Sequence, residues 1–141
     1  MDKRFWICGL VVSIAAMLLD FLVHGVLLTP DYAALVTSGL MRNAEDSAHY
    51  MPYMLVAHLL IGYGLTWLYR KGAEAGRPAI GQGLRFGAAV AVMSTVPGYL
   101  IYYAVQPLPH ALVHKQMLLG TLAVLLLGVL LAWLDPGRKA L

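Results

Sequence analysis

The chain predicts an all-α fold: an integral membrane four-helix bundle with a short interfacial helix in its first outer loop. Three observations carry this expectation. Of 141 residues, 60% are hydrophobic and only 12% are charged, outside the usual range for a water-soluble domain; mean hydropathy is +0.73. The apolar residues gather in four runs, 5–28, 52–70, 84–105 and 113–134. Each comes near the roughly 17–25 residues that cross about 30 Å of hydrocarbon. Charge is the third observation. Lys3, Arg4, Arg70, Lys71, Arg77, Arg85, Arg138 and Lys139 fall on one side of a four-span topology, with only Arg42 and Lys115 on the other. That bias places both termini in the cytoplasm.

Lipid offers no partner to a free backbone amide, so each run is expected as a helix within one transmembrane domain. The first run follows Lys3 and Arg4, as a secretion signal would. It is about twice the usual length of a signal's apolar region and holds Asp20, so it reads as an uncleaved anchor. Cys8 is the only cysteine; it allows no internal disulfide, and its apolar neighbours make it inert. Thr29-Pro30-Asp31 then has helix-start chemistry. Tyr32, Leu35, Val36, Gly39 and Leu40 recur at helical spacing, which predicts an amphipathic helix on the outer surface.

Residues 42–47 read as a polar turn, and Pro52 opens the second span. The Gly-rich stretch 71–83 reads as a plain inner connection. In the third span Gly83, Gly87, Ala91, Ser94 and Gly98 form a stripe of small residues, the pattern that lets membrane helices approach closely. Pro97 is expected to kink this helix. Pro107 and Pro109 stiffen the short second outer loop, and Asp135-Pro136-Gly137 ends the fourth span. Gly62 with Trp67-Leu68 is echoed by Gly128 with Trp133-Leu134, as two similar helical hairpins would produce.

Chemistry concentrates in the first span. Ser13, Met17, Asp20 and His24 share one helix face, and an ionisable pair within a span is a functional-site hypothesis by default. His58, Gly62 and Thr66 form a stripe on the second span. Counted from the outer ends of antiparallel helices, His24 and His58 reach a similar depth, and Tyr99, Tyr102 and Tyr103 lie near that level. All five histidines (His24, His49, His58, His110, His114) fall in the outer half or outer loops, with Met41, Met51, Met54 and Met117 on the same side.

Three readings stand open at this point. His24 and His58 could ligate a haem iron, with Asp20 orienting His24. Asp20, His24 and His58 could form a transition-metal site or proton relay, for which His110 and His114 are further metal candidates. Or the group is structural, fixing helix register. The residues proposed to contact a ligand or carry protons are Asp20, His24, His58, Tyr99 and Tyr102. No Gly-x-Ser-x-Gly, phosphate-binding loop or paired carboxylates point to catalysis.

The string LLDFLVHGVLLTPDYAAL, with a histidine in the second span and a proline in the third, resembles a group of small, uncharacterised bacterial four-helix inner-membrane proteins. Its most specific part is Asp20 to Gly25 followed by Pro30 and Tyr32. The resemblance covers nearly the whole chain and implies a bacterial cytoplasmic membrane. The expectation is a non-enzymatic accessory or binding protein in the lipid bilayer, within a homo-oligomer or larger membrane complex and without nucleic acid. The rivals are a haem- or metal-bearing redox protein and a small proton- or metal-coupled transporter, oligomeric through the Gly83–Gly98 stripe.

Overall fold

The structure, a computed structural model, describes residues 2–74 and 76–136. Gly137, Arg138 and Lys139, which enter the helix-stop and charge arguments above, lie outside the described residues. Four helices are long and apolar enough to cross a membrane: α1 (Lys3–Leu27), α4 (Met51–Gly72), α5 (Ala79–Val105) and α6 (His110–Leu134). Two short helices, α2 (Thr29–Thr37) and α3 (Ala44–His49), connect α1 to α4. The four long helices pack as a bundle whose outward face is apolar. Leu60 is 70% and Val92 73% exposed, as lipid contact requires.

Small residues determine how the helices pair. A Cβ added at Gly62 would lie 2.6 Å from the Ser13 Cα, so α4 can approach α1 this closely only without a side chain there. A Cβ at Gly83 would lie 2.5 Å from the Val129 Cα, and one at Gly87 2.8 Å from the Leu125 Cα. The two echoed glycines therefore do equivalent work, Gly62 against α1 and Gly128 against α5. The predicted stripe on α5 divides. Gly83 and Gly87 are covered by α6 and Ala91 is buried, whereas an added Cβ at Gly98 would meet nothing within 4 Å. The covered part is not a free surface for a second copy.

A core of Cys8, Val12 and Ala16 from α1 with Leu127, Leu131 and Ala132 from α6 joins the two hairpins. An ion-pair lattice closes the same end. Arg70 donates to Asp135 Oδ2 at 2.5 Å and to Asp2 Oδ1 at 2.9 Å, and Arg4 donates to the Leu134 carbonyl at 2.7 Å. This end, with the cations of the 70–85 region, is called the basic end below, and the opposite one the histidine end.

Local structure departs from expectation in four places. Helix α5 begins at Ala79, five residues earlier than the apolar run, because Gly81 and Gln82 can join the helix while Gly83 packs on α6; Gln82 donates to the Tyr69 hydroxyl at 2.8 Å. Residues 44–49 form a short helix instead of a plain turn, since the Asn43 side chain caps the Asp46 amide at 2.8 Å. Helix α6 starts at His110, directly after Pro109. Helix α2 stops at Thr37, where Gly39 adopts φ 76°, a left-handed conformation suited to glycine after a helix end.

Two wide turns matter more. Over Phe21–Leu27 helix α1 is π-helical, with the Leu28 amide donating to the Val23 carbonyl. Over Ala91–Thr95 helix α5 does the same, one residue before the Val96-Pro97 step. The distortion expected of Pro97 thus takes the form of a widened turn; proline supplies no amide for the i−4 carbonyl, and the widened turn re-satisfies the ladder.

Candidate functional site

Both wide turns face one cavity of ≈ 370 Å³ at the histidine end, which Val23 and His24 line from α1 and Ser94 and Thr95 from α5. Asp20, the residue before the first wide turn, lies seven residues from the end of α1, and His58 lies seven residues from the start of α4. At 1.5 Å per residue both sit about 10 Å below the helix ends. Counting along the sequence matches His24 with His58 in depth. On these helices Asp20 is level with His58 and His24 lies three residues from the end of α1, yet the three groups meet. Asp20 Oδ1 is 3.7 Å from His24 Nε2, and Asp20 Oδ2 is 3.7 Å from His58 Nε2. One carboxylate therefore bridges two imidazoles, beyond direct hydrogen-bond distance of either.

Neighbours set the proton positions. His58 Nδ1 lies 2.7 Å from the Met54 carbonyl, which only accepts, so Nδ1 carries a hydrogen and Nε2 is the ring atom turned toward Asp20. His24 Nδ1 lies 2.5 Å from the Tyr32 hydroxyl, and that oxygen accepts from Gln116 Nε2 at 3.0 Å. The opposite ring nitrogen, His24 Nε2, lies 3.3 Å from the Tyr99 hydroxyl and faces Asp20. Burial pushes the Tyr32 phenol up, against the lowering effect of the Gln116 hydrogen bond, so Tyr32 keeps its proton.

Tyr32 reaches His24 because α2 folds back over the bundle. Leu35 joins Val23, Leu28 and Leu112 in a second buried cluster, and Lys115 binds Asp31 at 2.7 and 3.0 Å. In the sequence Tyr32 belongs to the predicted interfacial helix and to the family resemblance, not to the site, and Gln116 is not named. Gln116 is the one amide side chain in the 25 residues of α6, a signal of the kind that marks functional polar groups in membranes. Tyr32 lies across the break at Leu28, so helical spacing from His24 carries no information about it. Among the described residues, Gln116 Oε1 is a buried side-chain atom with no hydrogen-bond partner.

The other residues named from sequence are placed differently. Tyr102 lines the cavity and is 56% exposed. His110 and His114 lie with ring centroids 4.1 Å apart and planes tilted by 56° at the start of α6, and the Tyr103 hydroxyl lies 3.2 Å from His110 Nδ1. They contact one another, apart from the Asp20 group. Ser94 bonds back to the Val90 carbonyl at 2.9 Å. Among the described residues no three His, Cys, Asp or Glu side chains cluster at metal-binding geometry. For haem, the carboxylate bridging the two rings would have to leave before both could ligate one iron at about 2 Å.

The triad opens on two sides. Asp20, His24 and His58 also border a groove of ≈ 810 Å³ on the lipid-facing side between α1 and α4, otherwise lined by apolar residues including Met17, Phe21, Met54 and Leu55. The Asp20 side chain remains 34% accessible and that of His24 28%, against 7% for His58. Compared with known proteins, the chain matches no family model, no curated protein and no solved structure.

Proposed function

We propose that this chain is a non-enzymatic, multi-pass protein that binds a small molecule at Asp20, His24 and His58. The carrying observation is the bridging carboxylate, 3.7 Å from each imidazole and open to both cavities. A purely structural trio would close its hydrogen bonds; this one holds both Asp20 oxygens beyond hydrogen-bond distance of the two rings. The one-sided distribution of cations and the likeness of the Asp20–Tyr32 segment to small bacterial inner-membrane proteins support the cytoplasmic membrane, with the basic end in the cytoplasm. In that orientation the site lies in the outer half of the bilayer. A cysteine placed at Ser47 is then labelled from the periplasm and one at Gly76 is not; the reverse pattern overturns the orientation.

The site is tested by purifying the chain gently from its native membrane into lipid nanodiscs. Native mass spectrometry is expected to find a retained non-protein molecule that disappears in Asp20→Asn while circular dichroism stays unchanged. Equal retention in both proteins, or none in either, defeats the binding reading. The visible spectrum of the same sample separates the haem alternative: a Soret band lost in His24→Ala or His58→Ala would replace the present reading with a redox protein.

A further inference from the structure

We propose that the occupant of this site is a quinol-type amphiphile, a ring bearing hydroxyl groups on an apolar tail, entering between α1 and α4. The inference rests on the binding reading above and names its ligand class. It starts from an imbalance. A carboxylate one-third accessible stands about 10 Å inside the helix ends, at the base of an otherwise apolar groove. Such a group facing lipid tails is costly unless a polar partner covers it.

The partner's chemistry follows from the vacant hydrogen-bond positions. The Asp20 oxygens, 3.7 Å from the nearest imidazole nitrogens, ask for a donor, whereas the Tyr99 hydroxyl beside His24 lines the same cavity and can serve an acceptor. A hydroxyl answers both, since it donates and accepts. An ammonium head only donates and would carry full charge to this depth. Shape agrees. The ≈ 370 Å³ cavity behind the triad suits a ring, with Gly98 leaving its wall open, and the ≈ 810 Å³ groove in front suits an apolar chain. Both volumes fall within or near the range of small-molecule sites, which combine apolar walls with a few placed polar groups.

The test uses the full chain in nanodiscs, with a decyl-substituted benzoquinol and its oxidised quinone as probes, under anaerobic equilibrium dialysis. The quinol is expected to bind saturably, and the quinone, lacking hydroxyl donors, at least fivefold more weakly. Asp20→Asn removes the charged acceptor and Gly98→Leu fills the ring cavity while leaving every polar group in place. Each should weaken quinol binding at least tenfold with unchanged helical content. Equal binding of quinol and quinone, or indifference to both substitutions, overturns the proposal. If the quinol fails but native mass spectrometry finds another molecule, such as a phospholipid, held through Asp20, the ligand class is wrong and the binding site survives. If nothing is retained, both fall.

Discussion

The basic half and the histidine half of the bundle use the same four helices to opposite ends. At the basic end glycines bring backbones together: Gly62 lies on Ser13, and Gly83 and Gly87 lie on α6. Buried Tyr69 and Asp135 fill what remains, and Arg70 ties the ends of α1, α4 and α6. At the histidine end helices α1 and α5 both widen into π-helical turns, Gly98 packs on nothing, and a cavity stays open. The same residue type closes one half and leaves the other hollow. Glycine is therefore uninformative until its neighbour is known, and the half left hollow is the one holding Asp20, His24 and His58.

Substitutions in the two halves should diverge, and the contrast is sharpest at glycine. We predict that Gly83→Leu, whose Cβ would already lie 2.5 Å from the Val129 Cα, destabilises the bundle by about 3 kcal/mol through overpacking. Gly98→Leu should cost less than about 1 kcal/mol, because an added Cβ there meets nothing. Reversible unfolding in mixed detergent measures both; similar losses would break the comparison. Next, Asp135→Ala should cost about 2 kcal/mol. That is below the full penalty for breaking a buried pair, because the Arg70 side chain is 24% exposed.

Asp20→Asn belongs to the hollow half and should change stability by under about 1 kcal/mol, in line with polar contacts between membrane helices, while abolishing ligand retention. A large loss of stability with retention intact would turn Asp20 into a packing residue. Lys115→Met removes the exposed pair with Asp31 and should cost about 0.5 kcal/mol. Its readout is faster hydrogen exchange in α2, which carries Tyr32.

The smallest effect is on pH dependence at the basic end. Hydrogen bonds from Arg85 and then Arg77 hold Glu74 below the usual carboxylate range. A lowered folded-state pKa favours folding above the unfolded value and ceases to do so as pH falls through the folded one. Glu74→Gln should therefore lower stability slightly in the neutral region and leave it unchanged below the folded-state pKa, flattening the acid limb. Glu74 is exposed, so solvent screening keeps the change small.

Much of this was readable in one dimension, because the bilayer imposes a length and a polarity on any segment that crosses it. Four apolar runs, the one-sided cations and the placing of Asp20, His24 and His58 toward one end of their helices follow from counting along helices at 1.5 Å per residue. Asp20 stood out because apolar surroundings make a carboxylate conspicuous. Other features depended on which faces meet. Spacing alone could not divide the Gly83–Gly98 stripe into a covered part and an open one, since that depends on where α6 lies. The widened turns arise from backbone competition within a helix and leave no periodic signature, although Pro97 marks one of them. Tyr32 and Gln116 join His24 from across a chain break and from another helix, and only the docking of α2 against α6 brings them there. The sequence by itself determined the spans and their polar exceptions, since both are properties of single helices in a solvent of fixed thickness. The tertiary structure decided which exceptions share a proton network and which glycines face a backbone or a void, because those depend on the rotation and approach of one helix against another.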